Sequence, residues 1–547
     1  MTSSLRASAA ALFAVGLAVM GTALLGTTVQ AAPVRAAAEP PLTAVPRPVC
    51  GPGSLPETGL QGQVPAAAVA AGKVAKGFLC NVKVVGTSGS SGGFKVERYV
   101  DKAGHECAFY DTTTLFPTNA ANLPEPTGVA VLDMANPAKP VRTASLSTPA
   151  MQSPHESLVV NQARGLVVSV LGNALFGPGQ VDVFDASKDC RAPVFQSTLP
   201  LGVLGHESGF SKDGKTFWAA SLGANILTAV DLTNPAQPTV AYTGVWASHG
   251  VQISDDGNRA YLAAGAGFPR NEIGLTAAVS GLQILDISQV QARKSNPVVT
   301  EIGHVTWSSI TIPQTAIPVT IGGKPYVVEV DEFSNDTSGR LAMNGPRVGA
   351  ARIIDISNEK APFVVSNIRL AVNNPENRAA IAGDPGATSY TGGYAGHYCN
   401  VPQRAEPGIM ACSFLASGLR VFDIHNPAAP KEVAYFVRPV PPGGAANDAF
   451  SSPAFVPARD EVWYADSSTG FWALKLTNGA WQHGAAPPIA VPPRVVKPTV
   501  HHKPAAPKLP ATGLAFPVGV GLALLGAALL LRLGIRSSEV KGRSART

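Results

Sequence analysis

Five of the ten histidines in this chain stand at the same stage of a recurring pattern. His155, His206, His249, His304 and His397 each come just before, or at the head of, a short run such as Leu158 to Val160, Gly209 to Ser211, Val251 to Ile253 or Val305 to Trp307. If those runs are equivalent strands arranged around one axis, the imidazoles converge at one end of it. Converging imidazoles are a ligand set for a transition metal, in particular copper, nickel or zinc. Glu156 and Glu207 follow two of the histidines, where a carboxylate either orients an imidazole or points to water. The same placement also suits histidines that only pack and hydrogen-bond at the start of inner strands. His105 and the pair Asp331 and Glu332 fall outside the pattern. The chain has no phosphate-binding loop, dinucleotide-binding turn, HExxH helix or nucleophile elbow. In Gly205 to Gly209 the serine comes one place too late for the elbow.

The elements that would position these residues are repeats. Gly128 to Pro140 recurs at Gln180 to Pro193, Asn225 to Pro238, Gly281 to Ser288, Ala351 to Pro362 and Gly418 to Pro430, with a degenerate copy from Gly470. The aligned acidic positions are Asp133, Asp185, Asp231, Asp286, Asp355 and Asp423, and Lys475 takes the seventh place. Their spacing of 46 to 69 residues is that of propeller blades, some with insertions. Each unit is an aliphatic strand, an aspartate that caps the following turn through backbone N–H groups, and a proline that ends the ladder. A hairpin with glycine-bearing turns, such as Lys212 to Gly214, precedes it and completes a four-stranded blade. The expected fold is therefore all-β: a seven-bladed β-propeller over residues 80–482. Its first strand, Asn81 to Gly86, is expected to join the degenerate blade around Phe471 to Trp481 and so close the ring.

The repeats resemble the LVIVD-repeat family of propeller proteins, most clearly at Gly281 to Ile287, Gly418 to Ile424 and the Asn-Pro-x-x-Pro turns. Lys475 and the delayed Asn296-Pro297 depart from that pattern. The resemblance implies a propeller and no agreed activity. Ser153 to Ser157 and Val168 to Gly172 are similar to selenium-binding-type propellers. That likeness implies histidines around a copper and oxidation of small thiols.

Both ends read as processing signals. Arg6, the apolar stretch from Ala7 to Gly26 and the small residues up to Ala31 form an expected secretory signal over residues 1–31. Near the other end, Leu509, Pro510, Ala511, Thr512 and Gly513 precede an apolar run, Leu514 to Leu531, and then a basic tail. As a helix that run would be about 27 Å long, enough to cross hydrocarbon. The order of motif, span and basic tail resembles the LPxTG cell-wall sorting signal. It implies cleavage by a sortase between Thr512 and Gly513, transient membrane insertion of 514–531, and covalent attachment of Thr512 to peptidoglycan. Leu55 to Gly59 matches the pentapeptide too but lacks the span and the tail, and is read as coincidence. Residues 32–79 are expected to form a linker or extension, disordered over Ala32 to Pro48, and residues 483–508 a proline-rich spacer.

Arg6 and an excess of four basic charges after Thr512 account for all but +1 of the formal charge of +6. The basic balance therefore gives no support for a nucleic-acid partner. Six cysteines remain after processing, an even number that favours disulfides in an exported protein. Cys399 and Cys412 are the expected pair, being separated by a short loop; fifteen pairings are formally possible. Three functions follow, in this order of preference: a wall-anchored binding scaffold for a surface ligand, a metal-dependent extracellular oxidoreductase of copper type, and a structural wall protein.

Overall fold

The structure, a computed structural model, describes residues 39–114, 125–173, 177–221, 225–264, 280–309, 311–335, 341–342, 345–387 and 392–483. The expected secretory signal, the proline-rich spacer apart from His483, the sorting motif and the apolar run 514–531 lie outside them. No helix among the described residues is long and apolar enough to cross a membrane.

Seven antiparallel sheets form a β-propeller. Blade 1 runs through Val96–Val100, Glu106–Asp111, Val129–Asp133 and Val141–Leu146. Blade 2 holds Val159–Asn161, Leu166–Val170, Gln180–Asp185 and Val194–Pro200, and blade 3 Gly205–Phe210, Thr216–Ser221, Ile226–Asp231 and Thr239–Val245. Blade 4 is built from Gly250–Ile253, Arg259–Ala264, Ser280–Asp286 and Thr300–Trp307, and blade 5 from Ile312–Ile321, Lys324–Glu332, Ala351–Asp355 and Phe363–Ile368. Blade 6 contains Tyr398–Asn400, Ile409–Phe414, Gly418–Asp423 and Lys431–Val437; blade 7 contains Ala454–Val456, Glu461–Asp466 and Gly470–Leu476.

Burial follows the sequence pattern. The second strands Thr216–Ser221, Ile409–Phe414 and Glu461–Asp466 are buried throughout, whereas the fourth strand Thr239–Val245 is largely open to water. Aliphatic side chains mesh between blades: Leu166, Val168 and Val170 of blade 2 pack on Phe217, Ala219 and Val230 of blade 3. All six repeat aspartates accept the backbone N–H two residues on, at 2.8–2.9 Å, so the turns are held by the local chain.

The ring closes through its N-terminal strand. Val82–Ser88 pairs antiparallel with Gly470–Leu476, from Val82 opposite Leu476 to Ser88 opposite Phe471, and supplies the fourth strand of blade 7. The edge that blade 7 would otherwise expose is thus covered.

The N-terminal extension departs from the expected linker. From Glu39 onward it is packed against the ring. The Val45 N–H donates to the Arg369 carbonyl and the Glu432 N–H to that of Pro46. Phe78–Cys80 adds a fifth strand to blade 6. Glu57, inside Leu55 to Gly59, meets the buried Arg420 guanidinium at 3.0 Å. Composition hid this, because alanine and proline can line a sheet edge as readily as they form a coil. Three disulfides brace the assembly: Cys50–Cys80, Cys107–Cys190 and Cys399–Cys412. The last joins register partners on neighbouring strands of blade 6.

Candidate metal centre

The first strands of neighbouring blades touch one another around the axis. Residues at or just before their starts therefore share one end of the central channel. Blade 1 contributes Phe94 and Lys95 there, blade 2 His155 and Glu156, and blade 3 His206 and Glu207. His249 comes from blade 4, Gln314 from blade 5, His397 and Tyr398 from blade 6, and Phe450 from blade 7. Glu332 ends the second strand of blade 5, which is antiparallel to the first and pairs Glu332 with Ile312, so it returns to the same mouth.

Four of the five histidines singled out in the sequence meet. The rings of His155 and His206 have centroids 4.5 Å apart, and those of His206 and His249 3.9 Å. His397 Nε2 lies between two carboxylates, 3.4 Å from Glu156 Oε1 and 3.2 Å from Glu332 Oε2. His249 Nε2 lies 3.4 Å from Glu332 Oε1. All six residues are buried.

His304 does not join them. It sits on the fourth strand of blade 4, half exposed, with Nδ1 2.5 Å from Glu301 Oε1. The delayed Asn-Pro pushes this strand to Thr300–Trp307, and blade 5 begins only at Ile312, so Gln314 takes the axial place expected of His304.

Three of the imidazoles have fixed tautomers. A carbonyl oxygen can only accept, so Nδ1 of His249 donates to Pro313 at 2.9 Å, that of His397 to Phe450 at 2.6 Å, and that of His155 to Gly172 at 3.4 Å. In the neutral ring this leaves the Nε2 lone pair turned toward the cluster, as metal-ligating histidines require. His206 differs. Its Nδ1 is 3.1 Å from Glu156 Oε2, yet it is buried with no aligned hydrogen-bond partner.

Glu156 is itself oriented by neighbours. Tyr398 Oη donates to its Oε2 at 3.1 Å, and Gln314 donates both to Tyr398 Oη, at 2.8 Å, and to Glu156 Oε2. Glu207 points elsewhere, to Lys95 Nζ at 3.2 Å and Gln252 at 3.3 Å, so it does not brace an imidazole. Lys95 also lies over the Tyr398 ring, 4.1 Å from its centroid. Phe94 stacks against both His155 and His397, and Phe450 meets His397 edge-on.

Burial lowers the pKa of His155 and, far more, that of His206. Burial also opposes charge on His397, but its hydrogen bonds to Glu156 and Glu332 outweigh that and raise it to about 10. Burial would raise Glu156, yet His206 and His397 hold it well below the ordinary carboxylate range.

The backbone is strained where ligands are densest. His155 and Glu156 have φ of 43° and 72°, a left-handed conformation that costs a side-chain-bearing residue roughly 1–2 kcal/mol. In an extended strand neighbouring side chains point to opposite faces; here both turn to the axis. Gly172 permits the approach, since a Cβ there would lie 2.3 Å from His155 Cβ.

A second acidic group, Asp101, His105 and Asp189, is satisfied without an ion. Asp101 accepts the backbone N–H groups of Ala103, His105 and Cys190, and Arg191 grips Asp189 through two bonds of 2.8 Å. Of the axial groups, Phe94, Lys95, Gln314, Tyr398 and Phe450 were not found by sequence reasoning. Glu332 stands outside the histidine pattern in the sequence.

Fold and site together define a seven-bladed β-propeller with a buried imidazole–carboxylate cluster on its axis. No protein-family model matches the chain, and no curated protein matches it in sequence. Among solved structures it is similar to a hydrazine synthase of Kuenenia stuttgartiensis at 12% identity and a TM-score of 0.45, covering 71% of this chain and 96% of that one. It is similar to the β-propeller domain of Cps50 (Swd1) of Myceliophteria thermophila at 11% identity and a TM-score of 0.44, covering 72% and 99%. A chain of a mitotic checkpoint complex matches at 10% identity and a TM-score of 0.40, covering 72% and 90%.

Proposed function

We propose that this chain is an exported, wall-anchored β-propeller whose function rests on a transition metal bound at the axis of its ring. The observation that carries this reading is the set of four imidazoles and two carboxylates contributed by five blades. Three of those rings have their outer nitrogens tied to backbone carbonyls. Mixed nitrogen and oxygen donors without thiolate suit zinc, copper, nickel or iron. With such a set assembled, metal-dependent chemistry moves ahead of a purely passive scaffold.

His155, His206, His249, His397, Glu156 and Glu332 would hold the metal, while Tyr398 and Gln314 keep the Glu156 carboxylate in place. The metal would supply Lewis-acid or redox chemistry. Phe94 and Phe450 shield the imidazoles on one side.

The location belongs to the same proposal. Three disulfides suit an oxidising compartment. Sortase would join Thr512 to peptidoglycan after the 514–531 segment has held the chain in the membrane. The propeller would then stand on the cell surface, with no nucleic-acid partner.

Metal analysis of the chain released from cell walls by muramidase tests both parts. At neutral pH, and without chelators, it should carry at least one first-row transition metal per chain. Protein that is metal-free and takes up no zinc, copper, nickel or iron would overturn the metal reading. Thr512→Ala should remain with the membrane; equal muramidase release of variant and parent would overturn the anchoring.

A further inference from the structure

We propose that the axial cluster is a two-metal site in which the Glu156 carboxylate bridges the ions. This deepens the metal reading above and rests on it. The ligand atoms fall into two groups, each with its atoms within 4.8 Å of one another: His155, Glu156 and His206 form one, and Glu156, Glu332 and His397 the other. Glu156 is the member common to both.

Its two oxygens face different partners. Oε2 lies 3.1 Å from His206 Nδ1 and Oε1 3.4 Å from His397 Nε2. A carboxylate aimed at two separate imidazoles is arranged to bridge. Oε1 is also 4.0 Å from His155 Nε2, within the span of two ligands on one ion. The first ion would take His155, His206 and Glu156. The second would take His397, Glu332 and Glu156, with His249 alongside through its 3.4 Å approach to Glu332 Oε1.

Donor number points the same way. For zinc, the six protein ligands exceed the four that a tetrahedral ion takes, or the three of a catalytic site with an open position. Divided between two ions that share Glu156, they leave each site well supplied. Two-metal sites place their ions about 3.5–4 Å apart, the scale a bridging carboxylate sets. Independent support comes from His206 Nδ1, a buried atom without an aligned hydrogen-bond partner although a carboxylate oxygen stands 3.1 Å away. The left-handed backbone at His155 and Glu156 brings a terminal ligand and the bridge to the axis from adjacent positions.

The test is metal stoichiometry on the full chain, stripped with chelator and reloaded with Zn(II), read by elemental analysis against protein concentration. The parent should saturate at two ions per chain. His206→Ala and His397→Ala should each retain one, and Glu156→Gln no more than one. Loaded with Cu(II), the parent should show far less than its full spin count by electron paramagnetic resonance, because bridged cupric ions couple. Saturation of the parent at one ion, with full spin intensity, would overturn the two-ion site and leave the metal reading standing. Saturation at zero would overturn both. Loss of all metal in a folded His206→Ala would also overturn it, since the second group would then not bind by itself. The parent measurement decides the matter even if a variant fails to fold.

Discussion

The axial mouth and the outer repeat turns both carry polar residues at the blade period, yet they solve opposite problems. At the turns, Asp133, Asp185, Asp231, Asp286, Asp355 and Asp423 each find a backbone N–H two residues away. Six blades thus satisfy their own aspartate through the local chain. At the axis, His155, His206, His249 and His397 come from different blades, and their inward atoms face one another and two carboxylates. Recurrence in sequence thus marks both a structural cap and a candidate site. Closure of the ring separates them, because only at the axis do equivalent positions meet.

That contrast can be broken by substitution. Glu156→Gln removes a charged ligand at the point where both groups overlap. Metal affinity should fall more than about 100-fold, beyond what losing a residue that merely supports a ligand costs. Competition with a chelator measures it, and unchanged affinity would place the metal elsewhere.

Asp111 tests how dry the axial end is. Its carboxylate accepts the N–H groups of Phe94 and Lys95, both at 2.8 Å. Burial raises its pKa to about 6 from an ordinary 3.8, and those bonds only partly oppose the rise. Between these values the folded chain keeps a proton that the unfolded chain loses. Stability from this group therefore falls as pH rises from about 4 to 6 and is level above. Asp111→Asn lacks that fall. The stability of the parent minus that of the variant should drop by up to about 3 kcal/mol between pH 4 and 7, read from denaturant titrations. A difference independent of pH would mean that water reaches the carboxylate.

Tyr398→Phe should weaken metal binding about 10-fold without moving the melting temperature of the ring appreciably, because it removes one bond that orients Glu156. Affinity equal to the parent would show Glu156 to be held without it. At the other end of the scale, Asp355→Ala should cost about 1 kcal/mol of stability and leave metal affinity alone. A loss of metal in that variant would erase the distinction between turn and axis.

Much of the ring was legible in advance. The repeated aspartate and Asn-Pro turn set the blade period, and the unpaired strand after Asn81 marked the closure seen between Val82–Ser88 and Gly470–Leu476. The four axial histidines were legible for the same reason, as they share one stage of the blade. His304 was misplaced because an added helical turn at Ser288–Gln291 and a late proline lengthened blade 4. Glu332 reaches the axis from the end of a second strand, and Gln314 and Phe94 belong to blades without an axial histidine. No local periodicity announces such residues. Only the pairing of Ile312 with Glu332 and the closed ring bring them together.

The central claim is that the imidazoles and carboxylates of the axis hold metal. Anomalous diffraction from crystals of the zinc-loaded chain, collected above and below the zinc edge, tests it most directly. Anomalous density is expected on the axis, one peak within about 2.0–2.2 Å of ligand atoms of His155, His206 and Glu156 and a second against His397 and Glu332. No peak at the axis, with the four imidazoles still facing Glu156 and Glu332, would contradict it.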